Sequence, residues 1–200
     1  MDLAHQIRFI WKPILFLGCL VPFAVIVGRL FEFGGTLGAN PIEALQDHFG
    51  EWGLRFILIT LSVTPLRKIT GRAWLVQFRR MLGLFTFFYV FMHFIVWLVL
   101  DQELLFSAIL EDIVERPFIT IGMLAFLLLA SLAATSTTGI RRKLGRRWQK
   151  LHNSVYLIGM LGVWHYWWQV KKDITEPLIY ALILGALLGY RLWSRRKKKA

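Results

Sequence analysis

Six apolar runs, at about 13–31, 49–66, 81–100, 117–136, 151–170 and 177–193, divide the 200 residues of this chain. Each is close to the roughly 20 residues that an α-helix needs to cross about 30 Å of hydrocarbon. We therefore expect an all-α membrane protein, with residues 1–200 forming a single domain of six transmembrane helices joined by short connections. The second run is the shortest and carries Arg55, so its limits are the least sharply marked. The first has the outline of a signal peptide but lacks a small-residue cleavage site, and five spans follow it, so we expect it to be retained. Composition agrees: 56% of residues are hydrophobic and the mean hydropathy is +0.55. The 16 Phe and 9 Trp suit a bilayer protein whose interfacial rings lie at headgroup level.

A net charge of +12 raises the question of nucleic acid, but the charges are sorted by side. Arg67, Lys68, Arg72, Arg79 and Arg80 fall between the second and third runs. Arg141, Arg142, Lys143, Arg146, Arg147 and Lys150 fall between the fourth and fifth, and Arg191, Arg195, Arg196, Lys197, Lys198 and Lys199 in the tail. The alternate connections hold Glu32, Glu43, Asp47, Glu51, Asp101, Glu103, Glu111, Asp112, Glu115, Asp173 and Glu176, so of 12 acids only Asp2 lies on the basic side. Basic loops stay cytoplasmic, which predicts both termini inside and the acidic loops outside. Topology and contact with anionic lipid account for these basic loops, and an acidic flavoprotein or a flavin phosphate docking at the inner face is compatible with them. Nucleic acid is not expected as a partner.

Cys19 is the only cysteine, which excludes an intrachain disulfide, a zinc cluster and an iron–sulfur cluster. Ionisable side chains in hydrocarbon are costly and read as functional, which directs attention to His93, His152 and His165. His93 follows Arg80 by 13 residues, about 20 Å of helical rise, and His165 follows Lys150 by 15, about 22 Å. The two are therefore expected at matched depth in the outer half of the membrane, on separate helices, where they can supply both axial ligands of one haem. His152 is expected at the inner edge, giving one ligand to a second, inner haem. Without a Cys-x-x-Cys-His, either haem is held non-covalently. Thirteen residues at 100° each set His152 and His165 about 140° apart on a straight helix, so either that helix is distorted or the haems lie differently around it.

Other polar and aromatic residues have plainer explanations. His5 and His48 are expected to be ordinary loop or interfacial residues. Arg55 is expected to meet Glu51 four residues back, although a haem propionate is a second partner of the right charge. The aromatic stretch 164–168 reads mainly as an interfacial belt. Gly139 is expected to terminate the fourth helix, with Thr135, Ser136, Thr137 and Thr138 satisfying freed carbonyls. No G-x-G-x-x-G or Walker loop occurs, so nicotinamide and nucleotide binding by those routes is not expected.

Several short motifs occur in a telling order: Asn40-Pro41, Val63-Thr64-Pro65-Leu66-Arg67, Arg79-Arg80-Met81-Leu82-Gly83-Leu84, Arg116-Pro117, then Ala134-Thr135-Ser136, Leu144-Gly145, Trp148 and Leu151-His152. Over nearly its whole length the chain resembles the MsrQ (YedZ) family, the haem-binding membrane subunit of the protein-methionine-sulfoxide reductase system. That family is related to the six-helix transmembrane domain of ferric reductases. The resemblance implies haem b, one or two per chain, together with FMN. It implies as partners a periplasmic molybdopterin-containing, MsrP-like catalytic subunit, with a cytosolic flavin reductase or quinol as electron donor. The ferric reductase pattern places two histidines on each of the third and fifth helices. Here the fifth has His152 and His165, while the third has only His93, with Arg79 at the position 14 residues earlier.

The expected function is accordingly that of a bacterial inner-membrane b-type cytochrome. It would pass electrons from a cytoplasmic flavin or the quinone pool to a periplasmic molybdenum reductase that repairs methionine sulfoxide in proteins. Reduction itself would take place on that separate partner. The alternatives are an electron conduit with another acceptor, such as ferric iron, and a haem-free membrane anchor or small transporter.

Overall fold

The computed structural model describes residues 2–170 and 173–197, so Lys198 and Lys199 of the basic tail lie outside the described residues. All regular elements of the described residues are helical. A short helix α1 (Leu3–Gln6) runs through a π-helical turn into α2 (Lys12–Leu30). The long α3 (Pro41–Thr70) follows, then a 3₁₀ segment leading into α4 (Arg79–Ile95), which a second π-helical turn extends to Asp101. Helix α5 (Phe106–Glu115) lies before α6 (Pro117–Ala134). Two short basic helices, α7 (Thr138–Leu144) and α8 (Arg146–His152), lead to α9 (Val155–Gln169) and α10 (Thr175–Arg196).

Among the described residues four helices are long and apolar enough to cross a membrane: Leu3–Leu30, Ala73–Asp101, Pro117–Ala134 and Thr175–Ser194. The expected runs at 49–66 and 151–170 fall on α3 and α9, which lack that simple signature for physical reasons. Helix α3 takes Glu51 and Arg55 into its sequence because they neutralise each other at 2.6 Å. Helix α9 has only 15 residues, because the chain turns at Asn153 and Ser154 instead of continuing from α8. Of the two alternatives for His152 and His165, a distorted helix or a different disposition of the haems, the break at Asn153 and Ser154 supplies the first.

Helix α3 starts where Asn40 caps it, the side-chain oxygen accepting from the Glu43 amide at 3.3 Å with Pro41 in the first turn. It ends at Gly71, whose φ of +70° is the left-handed C-cap that glycine adopts without strain. Between these ends α3 is the axis of the bundle. One of its faces packs with α2 and α4 around Phe49, Phe56, Phe85 and the fully buried Tyr89. The other packs with α6, α9 and α10 through Leu54, Ile57, Leu58, Leu61, Leu129, Leu161 and Leu184. The outward faces stay apolar, with Leu17, Leu127, Leu182 and Leu192 about 60% exposed, as a lipid-facing surface requires. The protein is therefore a membrane protein with several candidate spans.

Two sequence expectations are corrected. His48 is not a loop residue: it sits inside α3, and its Nε2 donates to the Pro22 carbonyl at 2.9 Å. Pro22 lacks the N–H that would bond the Gly18 carbonyl, and around this interruption side chains from neighbouring helices bond backbone groups of α2. Tyr89 does the same one turn away, donating to the Cys19 carbonyl at 2.7 Å and accepting from the Phe23 amide at 3.0 Å. Gly139 does not end the fourth helix either. Helix α6 stops at Ala134, and Gly139 lies within α7, capped by the Thr137 hydroxyl that accepts from the Ile140 amide. The hydroxyls do satisfy carbonyls as expected, Thr135 to Ser131 and Ser136 to Leu132, both at 2.7 Å.

Candidate functional site

Helices α3 and α4 pack antiparallel, and so do α6 and α9; each pair offers one histidine near the acidic-loop end. His93, near the end of α4, and His165, on α9, meet across the bundle with ring centroids 6.1 Å apart and planes at 84°. Nδ1 of His93 lies 2.9 Å from the Gln46 carbonyl of α3, and Nδ1 of His165 lies 2.7 Å from the Phe118 carbonyl of α6. A carbonyl can only accept, so both Nδ1 atoms carry the proton and both Nε2 atoms keep their lone pairs. Among the described residues neither Nε2 has a hydrogen-bond partner.

Each ring reaches its carbonyl because a glycine lies four residues further along the accepting helix. A Cβ at Gly50 would stand 3.1 Å from His93 Nδ1, and one at Gly122 only 2.8 Å from His165 Nδ1. The same arrangement occurs twice, with carbonyl and histidine separated by 47 residues in each case. Close approach extends along the first pair: a Cβ at Gly53 would lie 2.6 Å from Val90 Cγ2.

The residues fit a bis-imidazole haem iron at this level. Two metal–imidazole bonds of about 2 Å each, with about 1 Å from nitrogen to ring centre on either side, set centroids about 6 Å apart. A ligating histidine commonly donates its other N–H to a carbonyl or carboxylate, which fixes tautomer and ring orientation. Among the described residues no group of three His, Cys, Asp or Glu is placed to hold a bare metal ion.

At the basic end the arrangement differs. His152, the last residue of α8, stacks on Trp148 with centroids 3.9 Å apart, and its Nε2 lies 3.1 Å from Thr135 Oγ1. The Thr135 hydroxyl donates to the Ser131 carbonyl, so its oxygen accepts and His152 Nε2 is the protonated nitrogen. Trp148 closes the group by donating its indole N–H to the Thr135 carbonyl at 3.0 Å. Ligation by His152 Nε2 requires release of the Thr135 contact. Of the remaining sequence candidates, Arg55 pairs with Glu51, as expected, and donates to the Tyr180 hydroxyl at 2.9 Å. Trp164 and Trp168 stack on each other, centroids 6.0 Å apart, on the outward face.

Three features escaped sequence reasoning: the glycine seats Gly50 and Gly122, the Tyr89 bridge, and the buried Asp112. Asp112 accepts from Trp97 at 2.9 Å and Gln102 at 3.2 Å and pairs with Arg116 at 3.0 Å, fastening α5 to the end of α4. The glycines share one spacing, four residues after a position itself 47 residues before a histidine, which becomes recognisable only once the two carbonyl contacts are known.

Residues 49–163, from the first turns of α3 into α9, match the ferric reductase like transmembrane component family. That match covers more than half of the chain, which is therefore a ferric reductase-like transmembrane component. Relatives narrow this further. The protein-methionine-sulfoxide reductase heme-binding subunit MsrQ of Bordetella pertussis is 49% identical over 195 residues, covering 94% of this chain and 93% of its own. The protein of that name from Xanthomonas euvesicatoria is 46% identical over 188 residues, covering 92% and 86%. That from Xanthomonas campestris strain B100 is 52% identical over 160 residues, covering 80% and 73%. The chain belongs to the MsrQ family. No solved structure matches it.

Proposed function

We propose that this chain is the haem-binding electron-transfer subunit of a protein-methionine-sulfoxide reductase system. It is a six-span cytochrome b of the bacterial inner membrane with both termini and the basic loops on the cytoplasmic side. Electrons enter from a cytoplasmic flavin, FMN or a flavin reductase, or from the quinone pool. They leave to a periplasmic molybdopterin-containing partner that reduces methionine sulfoxide in proteins. Substrate reduction belongs to that partner.

The observation that carries this reading is the His93–His165 pair, with both Nδ1 atoms anchored and both Nε2 atoms open. Bound haem b supplies reversible one-electron carriage. The chain's own residues do the rest. Gln46 and Phe118 fix the tautomers, Gly50 and Gly122 set the depth of each ring, and the packed apolar faces exclude water. His152 is proposed as one ligand of a second haem, reached when its ring leaves Thr135.

The test is the haem content and reduced-minus-oxidised visible spectrum of the purified protein. His93→Ala and His165→Ala should each abolish the absorbance of the shared haem while the protein still inserts. Full haem in both variants refutes the assignment. Absence of haem bands from the unaltered protein favours a haem-free anchor. Haem with electron delivery to ferric iron, but none to a methionine-sulfoxide reductase in reconstituted membranes, favours another acceptor.

A further inference from the structure

Near the basic end of the α3–α4 pair lie two buried polar atoms with no hydrogen-bond partner among the described residues, Thr64 Oγ1 and Arg79 Nε. Helix hydroxyls elsewhere turn back to their own backbone: Thr60 to Phe56, Thr70 to Leu66 and Thr86 to Leu82, at 2.7–3.0 Å. Thr64 departs from that habit. A guanidinium partly withdrawn from water needs an anion. The ion pairs Arg55–Glu51 and Arg116–Asp112 both lie at the opposite end. Every acidic side chain except Asp2 is in the acidic connections or at the ends they join, and Arg79 Nε has no hydrogen-bond partner among the described residues.

The two residues belong to one place. Gly50 faces His93, Gly53 faces Val90 and Thr60 faces Gly83 along the antiparallel pair. Continuing that register by about three helical turns from Gly53 and Val90 brings Thr64 level with Arg79. The Arg79 charge is also within electrostatic reach of the His152 ring. A planar guanidinium fork beside a free hydroxyl is a receptor for a carboxylate or phosphate group.

We propose that Arg79 and Thr64 bind an oxyanion carried by a redox cofactor, a haem propionate or a flavin phosphate, held beside His152. This rests on the cofactor-binding reading above, and it assigns Arg79 a role other than replacing a missing histidine ligand.

Two pairs of probes separate the sources, each added to purified full-length protein in detergent. FMN is compared with riboflavin, which lacks the phosphate, by flavin fluorescence. Haem is compared with its dimethyl ester, which lacks the carboxylates, by absorbance titration of haem-depleted protein. In the unaltered protein one charged probe should bind about tenfold or more tightly than its neutral counterpart. Arg79→Gln and Thr64→Val should shrink that preference, and Arg79→Lys should keep part of it. Closure of the FMN gap identifies a phosphate, and closure of the haem gap a propionate. No preference in the unaltered protein, or an unchanged preference in both Arg79→Gln and Thr64→Val, overturns the proposal. If Arg79→Gln loses charged and neutral probes alike, the fold has failed, and Thr64→Val and Arg79→Lys decide. A chain that binds no haem at all sinks the cytochrome reading, yet the flavin pair still tests this pocket.

Discussion

The two ends of the bundle treat histidine in opposite ways. At the acidic end His93 and His165 hang from the two helix pairs, each with Nδ1 on a carbonyl and a glycine beneath the ring. At the basic end His152 has its Nε2 on a threonine hydroxyl and its face on Trp148, and no second imidazole opposes it among the described residues. The α3–α4 pair offers Arg79 there instead. The difference lies in how each imidazole is seated. A carbonyl that takes one N–H, and a missing Cβ that lets the ring reach it, leave the other nitrogen free. His152 has neither, and its end of the molecule is built around cationic charge.

The comparison breaks most directly if the seats do not matter. Gly122→Val should be nearly as damaging to the shared haem as losing His165, because a Cβ there would stand 2.8 Å from Nδ1 and Val adds two methyls to it. Overpacking typically costs about 1–3 kcal/mol. We therefore expect haem content to fall by most of its value, read from the pyridine haemochrome of the purified variant. Gly122→Ala should do less, and Gly50→Ala less again, since the contact at Gly50 is 3.1 Å and the ring has more room to give. Equal haem in all three would show that the glycines only pack helices.

His152→Ala sharpens the same contrast from the other end. It should leave the His93–His165 signal intact and remove only what a second haem contributes. The measurement is haem per protein together with a potentiometric titration. Loss of one component, with the remaining one unshifted, is the expected result. Loss of all haem would mean that the two ends are not separate sites.

Much of this contrast was legible in the sequence. Counting helical rise from Arg80 and Lys150 placed His93 and His165 at one depth, because rise per residue is fixed once a helix spans a membrane. Loop charges gave the two ends their characters. What could not be read was contact between helices. Nothing local distinguishes Gly50 or Gly122 from a glycine that merely eases packing, and Tyr89 sits in an aromatic run where any ring satisfies hydrophobicity. His48 read as a loop residue because its partner, the Pro22 carbonyl, is 26 positions away. Gly139 read as a terminator because glycine often is one. Thr137, able to cap the next helix, outweighed it.

The smallest predicted effect tests what occupies His152. Thr135→Val removes the hydroxyl that accepts from His152 Nε2 but keeps the size of the side chain, the Trp148 stack and the Trp148 bond to the residue 135 carbonyl. One neutral hydrogen bond is worth about 0.5–1.5 kcal/mol net, so unfolding should shift by only a few degrees. The His93–His165 absorbance should not change, because no atom of that site touches Thr135. Haem attributable to His152 should bind up to about tenfold more tightly, since the ring no longer has a bond to break before Nε2 is open. Should Thr135→Val instead lose that haem as His152→Ala does, the hydroxyl supports ligation and the two ends are more alike than their geometry indicates.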